Sequence, residues 1–453
     1  MPLPSPTQGA KAVYETGVRL FLIVVLLCAG GEFIVRGPMR FVRAASFNDF
    51  ISPYIQTRNW MGGEDPYSPA NLARNWPPEA EHYDFLSRDL ADGTLVLKRG
   101  IPTAYPVSAF VLLAPVAALP WHIAQPLWLA ITVLAFAGAT ASLVSLAKIS
   151  SGHAILFVAI ALALAPFHTA LAAGSIVTVS AGASAAAMWA ASRRHEVLAA
   201  VLLGVAVSLK PQIGLPFCFF YLVRRRWRIA AVSAAVAAVA LLLGAGRCAL
   251  SGTPWLENYL YDNRILFAPG SLGDFTEGNP IRFGLINFQV AAYTVLHKRE
   301  AATLAAILIA VAAAMLWMLL TRKKGSDLLC VSALAVISLL PVYHRFYDAE
   351  LLIFPLAWSL PSAWRAGALG SQLRAIARAV FFVIVLVFLA PGGSALQQMQ
   401  LAGHFATVKN TWWWNRLVLP HESWSVLLLT VLLLLAMARA DGAGRDRTTQ
   451  HLS

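Results

Sequence analysis

Long apolar blocks, separated by short charged clusters, constrain this chain more than any other feature. Of its 453 residues, 58% are hydrophobic and only 13% are charged, which is about half the charged fraction of a soluble domain. Many blocks approach the roughly 20 residues that an α-helix needs to cross a bilayer core. The sequence therefore predicts an all-α polytopic membrane protein and excludes a soluble enzyme with a single core.

The pattern predicts about 12 transmembrane helices. They cover residues 18–35, 105–119, 127–146, 154–171, 176–191, 198–223, 229–245, 301–320, 328–342, 349–360, 379–390 and 423–438. Long polar segments lie between some of them, at 36–104, 247–300 and 391–421. Residues 1–440 are expected to form one integral-membrane domain, and the polar tail 441–453 is expected to be disordered and cytoplasmic.

The positive charge of the chain indicates topology rather than a nucleic-acid partner. The formal net charge is +13, but the basic residues cluster at helix ends, as in Arg224–Arg228 and Arg322–Lys324, which is typical of cytoplasmic loops. Residues 36–104 and 247–300 carry equal numbers of acidic and basic residues. With a cytoplasmic N-terminus, all three long polar segments become external loops, and the first helix is expected to be retained rather than cleaved.

Asp49 is the first candidate for chemistry. It lies in an aromatic stretch of the first external loop, directly after the first helix. A carboxylate that is partly withdrawn from water at the edge of a bundle can take a proton from an attacking hydroxyl. The alternative is that Asp49 only caps a short loop helix.

Lys210 is a second candidate because it lies in the middle of the apolar block 198–223. A charge at that depth costs about 2.5–3.5 kcal/mol on insertion scales and needs a partner or a wet cavity. Pro211 interrupts the backbone hydrogen bonds of the helix. A kinked helix that opens a polar pocket toward a lipid phosphate is one interpretation, and a structural ion pair with another helix is the other.

The segment Tyr343–Asp348 is the third candidate. Tyrosine, histidine, arginine and aspartate follow one another there at a predicted membrane boundary. We expect His344 and Arg345 to bind an anionic phosphate and Asp348 to orient the imidazole. A simple interfacial anchor accounts for the tyrosines but less well for the charged residues.

Other kinds of site have no support in the sequence. It contains no phosphate-binding P-loop, dinucleotide-binding glycine motif or HExxH motif. The acidic residues of the loops show no ligand spacing that would indicate a metal, and the isolated histidines, His168 among them, are interpreted as structural. No cofactor and no metal are therefore expected.

The candidate segments together resemble the integral-membrane glycosyltransferases of family 87, which have the GT-C fold. The resemblance rests on Asn48-Asp49-Phe50 with Tyr54, Gly62–Tyr67, Tyr105-Pro106, Ser208–Gln212 and Tyr343–Asp348, in this order. One departure is Gly174-Ser175, where many members have Gly-Gln.

The resemblance implies a GT-C-type bundle in the inner (plasma) membrane with a long first periplasmic loop. It also implies a polyprenyl-phosphate sugar as donor, a glycan or glycolipid acceptor on the outer face, and Asp49 as the catalytic base. Lys210, His344 and Arg345 are expected to hold the donor phosphate. Residues expected to support the site or contact substrate are Asn48, Tyr54, Asp65, Tyr67, Tyr105, Gln212 and Asp348.

Two further functions stay open from the sequence. A transporter or flippase of a lipid-linked saccharide explains Lys210 and the external loops without a base, although the two halves show no convincing repeat. A non-catalytic assembly subunit is the other. Within the enzymatic interpretation, mannosyl and arabinofuranosyl transfer are not distinguished, and neither the acceptor linkage nor the oligomeric state follows from the sequence.

Overall fold

The computed structural model describes residues 8–43, 48–80, 105–322, 326–341, 343–364 and 370–449. Within these ranges the chain is helical and contains no strand, only an isolated antiparallel bridge between Leu285 and Arg345. The prediction of an all-α polytopic membrane protein is confirmed. The predicted loop residues 44–47 and 81–104 lie outside the described residues.

The α-helices are numbered here in chain order. They are α1 (Gln8–Arg36), α2 (Pro38–Val42), α3 (Ile51–Gly62), α4 (Pro69–Arg74), α5 (Val107–Ala117), α6 (Trp121–Leu146), α7 (Ser151–Ala163), α8 (Ala165–Ala173), α9 (Val177–Ser192), α10 (Glu196–Leu209), α11 (Pro211–Val223), α12 (Trp227–Leu250), α13 (Trp255–Leu266), α14 (Phe288–Leu296), α15 (Arg299–Thr321), α16 (Asp327–Ile337), α17 (Ile353–Trp364), α18 (Ser371–Leu389), α19 (Gly393–Leu401) and α20 (His421–Thr449). Short 3₁₀ helices occupy Arg282–Gly284 and Phe346–Leu352, and a π-helical turn occupies Trp414–Val418.

Among the described residues, six helices are long and apolar enough to cross a membrane, or up to seven if a bent pair counts as one span. The predicted count of 12 is not confirmed. The shortfall has a physical cause, because several predicted spans are broken or short. The block 198–223 forms two helices, α10 and α11, that meet at Lys210, and α7 and α8 are bent by 53° at their junction.

Proline and the residue before it produce these breaks. Lys210 has an extended backbone and Pro211 occupies the first turn of α11, where its missing N–H costs nothing. Leu164 is also extended, and Pro166 lies in the first turn of α8. Both breaks place non-helical backbone inside the protein, where other helices can satisfy its polar groups.

The first and second polar segments contain short helices, as expected for folded loops. The first contributes α2, α3 and α4, and the second contributes α13 and α14. The predicted tail falls partly in α20, which ends at Thr449, and residues 450–453 lie outside the described part. The external position of the loops and the single domain 1–440 remain predictions.

Two buried apolar clusters lie on either side of Asp49. The larger is built mainly from α7–α11, α14–α18 and α20. The smaller joins α3 to α5 and the start of α6 through aromatic residues, including Phe50, whose ring stacks on Trp128 with centroids 4.5 Å apart. Asp49 lies between these clusters, next to Phe50 and the end of α8.

Candidate active site

Three hydroxyl groups converge on one oxygen of Asp49. Its Oδ2 accepts hydrogen bonds from Tyr105 Oη at 3.0 Å, Ser175 Oγ at 3.1 Å and Tyr347 Oη at 3.0 Å. Asp49 itself is only 8% exposed. The other oxygen, Oδ1, accepts no hydrogen bond from the described residues. The arrangement stabilises a carboxylate through Oδ2 and leaves Oδ1 available for the proton of a ligand.

The backbone around Asp49 is fixed on both sides. Its N–H donates to the carbonyl of Ala173 at 2.6 Å, which ties the loop to the end of α8. The side chain of Asn48 accepts from the N–H groups of Phe50 and Ile51 at the start of α3. The side chain of Asn48, rather than that of Asp49, therefore bonds to the N–H groups at the start of α3.

Ser175 reaches Asp49 because the preceding turn is tight. Gly174 has a φ of +63°, and a Cβ at this position would lie 2.4 Å from the ring of Phe41, so only glycine fits. The indole of Trp128 donates to the Gly174 carbonyl at 2.8 Å and holds the turn. Sequence analysis identified Gly174-Ser175 only as a departure from the family pattern and missed Ser175 as a site residue.

Lys210 and His344 both contact Asp348 inside the protein. Lys210 Nζ lies 2.6 Å from Asp348 Oδ1, and the two side chains are 7% and 1% exposed. His344 Nδ1 lies 3.0 Å from Asp348 Oδ2, and its Nε2 lies 3.0 Å from the carbonyl of Ser338. The structure thus contains the interhelical ion pair that was the alternative interpretation of Lys210. A direct contact of Lys210 or His344 with phosphate remains a prediction.

This charged network supports Tyr347. The ammonium of Lys210 lies 5.3 Å from the centre of the Tyr347 ring, a cation–π distance. Asp348 Oδ2 also accepts from the N–H of Arg345, which fixes the start of the 3₁₀ helix that carries Tyr347. Because Tyr347 donates to Asp49, the network and the carboxylate form one connected site. Tyr347 lies in the predicted segment but was not singled out as a site residue.

Tyr105 is held by residues of the first loop. The hydroxyl of Tyr67 donates to the Tyr105 carbonyl at 2.7 Å. Asp65 Oδ1 accepts from the Tyr67 N–H, and Asp65 Oδ2 accepts from Asn258 of α13 at 2.7 Å. Asp65 and Tyr67 therefore lie behind Tyr105 and join the first polar segment to the second, without contacting Asp49 directly.

Two predicted residues lie farther from Asp49. The Tyr54 hydroxyl donates to the Leu119 carbonyl at 2.8 Å and its ring packs against Trp121. Gln212, partly exposed in the first turn of α11, makes no hydrogen bond to Asp49 or Asp348 among the described contacts. A substrate contact by either residue remains a prediction.

A cavity of about 540 Å³ adjoins this site. Its lining includes Tyr347 and Ala173, the residues whose hydroxyl and carbonyl bond to Asp49, together with Arg345. Of the three predicted phosphate ligands, Lys210, His344 and Arg345, it is Arg345 that lines this cavity. No group of three or more histidine, cysteine, aspartate or glutamate side chains that could hold a metal occurs in the described ranges, and the absence of a metal requirement remains a prediction.

Another buried carboxylate, Asp262 of α13, lies near Asp65. It is 5% exposed, and its Oδ2 has no hydrogen-bond partner. Burial, and then the charge of Asp65, raise the pKa of Asp262 to about 7. Both effects disfavour the ionised form.

We therefore predict that the stability of the protein depends on pH through Asp262. The folded protein retains a proton that the unfolded chain loses near pH 4, so the free energy of unfolding falls as the pH rises from about 4 to about 7. In Asp262→Asn, the free energy of unfolding should fall over this pH range by less than in the parent, with a difference on the order of a few kcal/mol. Thermal unfolding in detergent at pH 5 and pH 8 measures the difference.

The matched control is Glu257→Gln, an exposed residue of the same helix. We expect the control to keep the parental difference between the two pH values and Asp262→Asn to reduce it. An equal difference in all three proteins contradicts the assignment to Asp262.

A model of glycosyltransferase family 87 matches residues 103–355, more than half of the chain. The match includes Tyr105, Ser175, Lys210 and the segment 343–348, whereas Asp49 precedes it. No curated protein and no solved structure matches the chain.

Proposed function

This chain belongs to glycosyltransferase family 87, and from this premise we propose the reaction that it catalyses. The substrate is a polyprenyl-phosphate sugar, with mannose as the first candidate, and the sugar moves to an acceptor hydroxyl of a glycan or glycolipid. The reaction takes place on the periplasmic side of the inner membrane, within a GT-C-type bundle.

The observation that carries this proposal is the hydrogen bonding of Asp49. With three hydroxyl donors on Oδ2, Oδ1 is the oxygen that can accept the proton of the acceptor hydroxyl. The acceptor oxygen then bonds to the anomeric carbon as the bond from that carbon to the phosphate oxygen breaks. Polyprenyl phosphate leaves with the bonding electron pair, the proton stays on Asp49, and the anomeric configuration inverts.

The lipid donor is supported by charge distribution and by the nature of the site. Asp49 and the segment 343–348 lie at the ends of helices that the positive clusters predict to be external, where cytosolic nucleotide sugars are not supplied. Buried positive charge gains strength where water is excluded. Lys210 and His344 contact Asp348, and Arg345 lines the adjoining cavity. These charges are suited to a departing phosphate.

A transporter or flippase of a lipid-linked saccharide is the rival from another class. It accounts for the membrane helices and the cavity, but it gives no role to a carboxylate with three hydroxyl donors. Arabinofuranosyl transfer is the rival within the enzymatic class. A catalytic base at Asp49 is compatible with mannosyl and with arabinofuranosyl transfer.

The test is an incubation of the purified protein with radiolabelled polyprenyl-phosphate mannose or polyprenyl-phosphate arabinofuranose and a lipid extract that supplies acceptors. Transfer of label from either donor supports the enzyme, and the preferred donor identifies the sugar. Binding or movement of the donor across a vesicle membrane without any transfer contradicts the enzyme and supports the transporter.

The three hydroxyl donors should each contribute to the rate. We predict that Tyr105→Phe, Ser175→Ala and Tyr347→Phe each lower kcat about tenfold or more, because each hydroxyl fixes the position of the carboxylate and a misplaced catalytic group can cost about 10²-fold. Initial rates at saturating donor measure the effect. The control is Tyr221→Phe, a buried tyrosine of α11 whose ring packs on Phe220 and which should keep the parental rate. Parental rates in all three variants contradict the role of these hydroxyls.

A further inference from the structure

Helices α10 and α11 form a hairpin whose two ends lie on the same side of the protein. Arg226, which follows α11, donates from Nη2 to the carbonyl of Ala191 at 3.3 Å and lies 3.1 Å from Glu196 Oε1 at the start of α10. Since α10 has 14 residues, Lys210 at the tip of the hairpin lies about 20 Å away from these contacts. The turn before α10 and the turn after α11 therefore lie together, on the side that the positive clusters predict to be cytoplasmic.

An open groove of about 840 Å³ lies between these two turns, and its charge favours an anion. Three arginines and His195 line it, against one carboxylate, Glu196. Arg226 pairs with that carboxylate, which leaves Arg194 and Arg228 in excess. Both are exposed, and neither side chain makes an ion pair or a hydrogen bond with another described residue. The groove thus carries uncompensated positive charge that an incoming anion can reach.

The groove also has an apolar side. Val197 and Leu198, which are 54% and 48% exposed at the start of α10, line it together with Trp189. Helix α12, which begins beside the groove, is long and apolar enough to cross a membrane. A basic pocket between membrane helices on the cytoplasmic side is typical of sites for anionic lipid headgroups. A phospholipid with a negatively charged head matches both the charge and the apolar lining, whereas free phosphate matches only the charge.

We propose that this groove binds the phosphate of an anionic phospholipid through Arg194 and Arg228, with the acyl chains along the start of α10. The groove lies at the opposite end of α10 from Lys210. The bound lipid is therefore a partner of the membrane domain and not the sugar donor, and its binding does not depend on the reaction proposed at Asp49.

The two turns contain a matched pair of arginines. Arg194 has a φ of +64° and Arg225 has a φ of +57°, in the left-handed region that glycine adopts without steric cost. In each turn the arginine N–H bonds to the carbonyl three residues back, and the next N–H bonds to the carbonyl five residues back. The two positions are therefore equivalent in backbone and both are exposed, but Arg194 lines the groove and Arg225 does not.

The experiment measures lipid binding by the purified full chain. The protein in detergent is titrated with phosphatidylglycerol, phosphatidylcholine or inorganic phosphate, and bound molecules are counted by native mass spectrometry. The groove variants are Arg194→Gly and Arg228→Gln. The matched control is Arg225→Gly, which removes one positive charge from the same side of the protein and makes the same backbone change outside the groove.

We expect the parent to bind phosphatidylglycerol more tightly than either other ligand. Arg194→Gly and Arg228→Gln should each weaken this binding about fivefold, the equivalent of roughly 1 kcal/mol per basic residue near an anionic lipid surface, and Arg225→Gly should keep the parental affinity. An equal loss in all three variants would reflect the charge of the whole face and would contradict the groove. Parental affinity in both groove variants, or inorganic phosphate bound as tightly as the lipid, would also overturn the proposal.

Thermal unfolding provides a second readout. Without lipid, Arg194→Gly and Arg225→Gly should unfold close to the parental temperature, because the relief at positive φ offsets the greater freedom of glycine in the unfolded chain. A lipid that binds only the folded state stabilises it. Phosphatidylglycerol should therefore raise the unfolding temperature of the parent and of Arg225→Gly more than that of Arg194→Gly. An equal rise in all three proteins contradicts binding at Arg194.

Discussion

Replacing Asp49 with asparagine is expected to lower kcat for sugar transfer by about 10²–10⁴-fold, the range that a positioned general base contributes. Asparagine keeps the size of the side chain, and its carbonyl oxygen can still accept from the hydroxyls of Tyr105, Ser175 and Tyr347. The variant loses the negative charge and with it the ability to take a proton. The measurement is the single-turnover rate with a prebound donor.

The lower transfer rate of Asp49→Asn should be accompanied by an unchanged fold and unchanged donor binding. Asp49→Asn should elute from gel filtration as the parent does and bind polyprenyl phosphate with parental affinity. Glu257→Gln, an exposed acidic residue on α13, should transfer sugar at the parental rate. A folded Asp49→Asn protein that transfers sugar as fast as the parent excludes Asp49 as the base.

Replacing Lys210 with methionine is expected to destabilise the protein by about 3–5 kcal/mol, because removing one partner of a buried ion pair leaves the other charge uncompensated. Asp348 is 1% exposed and would keep only its contacts with His344 and the Arg345 N–H. Lys210→Met should also loosen Tyr347, whose ring the ammonium faces. Thermal unfolding in detergent and the transfer rate measure the two effects.

A double variant separates a structural role from a ligand contact. If Lys210 mainly pairs with Asp348, Lys210→Met combined with Asp348→Asn should be less destabilised than the sum of the single changes, since neither charge is then left alone. If Lys210 mainly binds phosphate, Lys210→Met should unfold at the parental temperature and lose donor affinity. The structure favours the first result, because Nζ lies 2.6 Å from Asp348 Oδ1.

The fold class followed from composition, but the number of spans did not. Apolar blocks identify helices that avoid water, and that part is confirmed. They do not distinguish a full crossing from two short helices, such as α10 and α11, that meet at Lys210 inside the protein. Pro211 indicated a disturbance at this point, whereas the complete break depends on partners such as Asp348 in a distant segment.

The partners of Asp49 show why the site was only partly predictable. Tyr105, Ser175 and Tyr347 are 56, 126 and 298 residues away from it in the sequence, so no local spacing brings them together. Ser175 is a common residue in an ordinary turn, and only its departure from the family pattern drew notice.

The supporting residues illustrate the opposite case. Asn48, Asp65 and Tyr67 were selected together with Asp49 as one first-loop pattern. In the structure Asn48 accepts from the N–H groups at the start of α3, and Asp65 and Tyr67 hold Tyr105 in place. A sequence pattern of this kind contains both the proposed base and the residues that position it, and only geometry separates them.

The anomeric configuration of the first product tests the central claim most directly. The wild-type protein is incubated with a polyprenyl-phosphate sugar of known configuration, and the product is analysed by nuclear magnetic resonance before any further reaction. If Asp49 is a base that activates the acceptor for a single displacement, the product has the configuration opposite to that of the donor. Retention of the donor configuration would mean two displacements and would contradict this account.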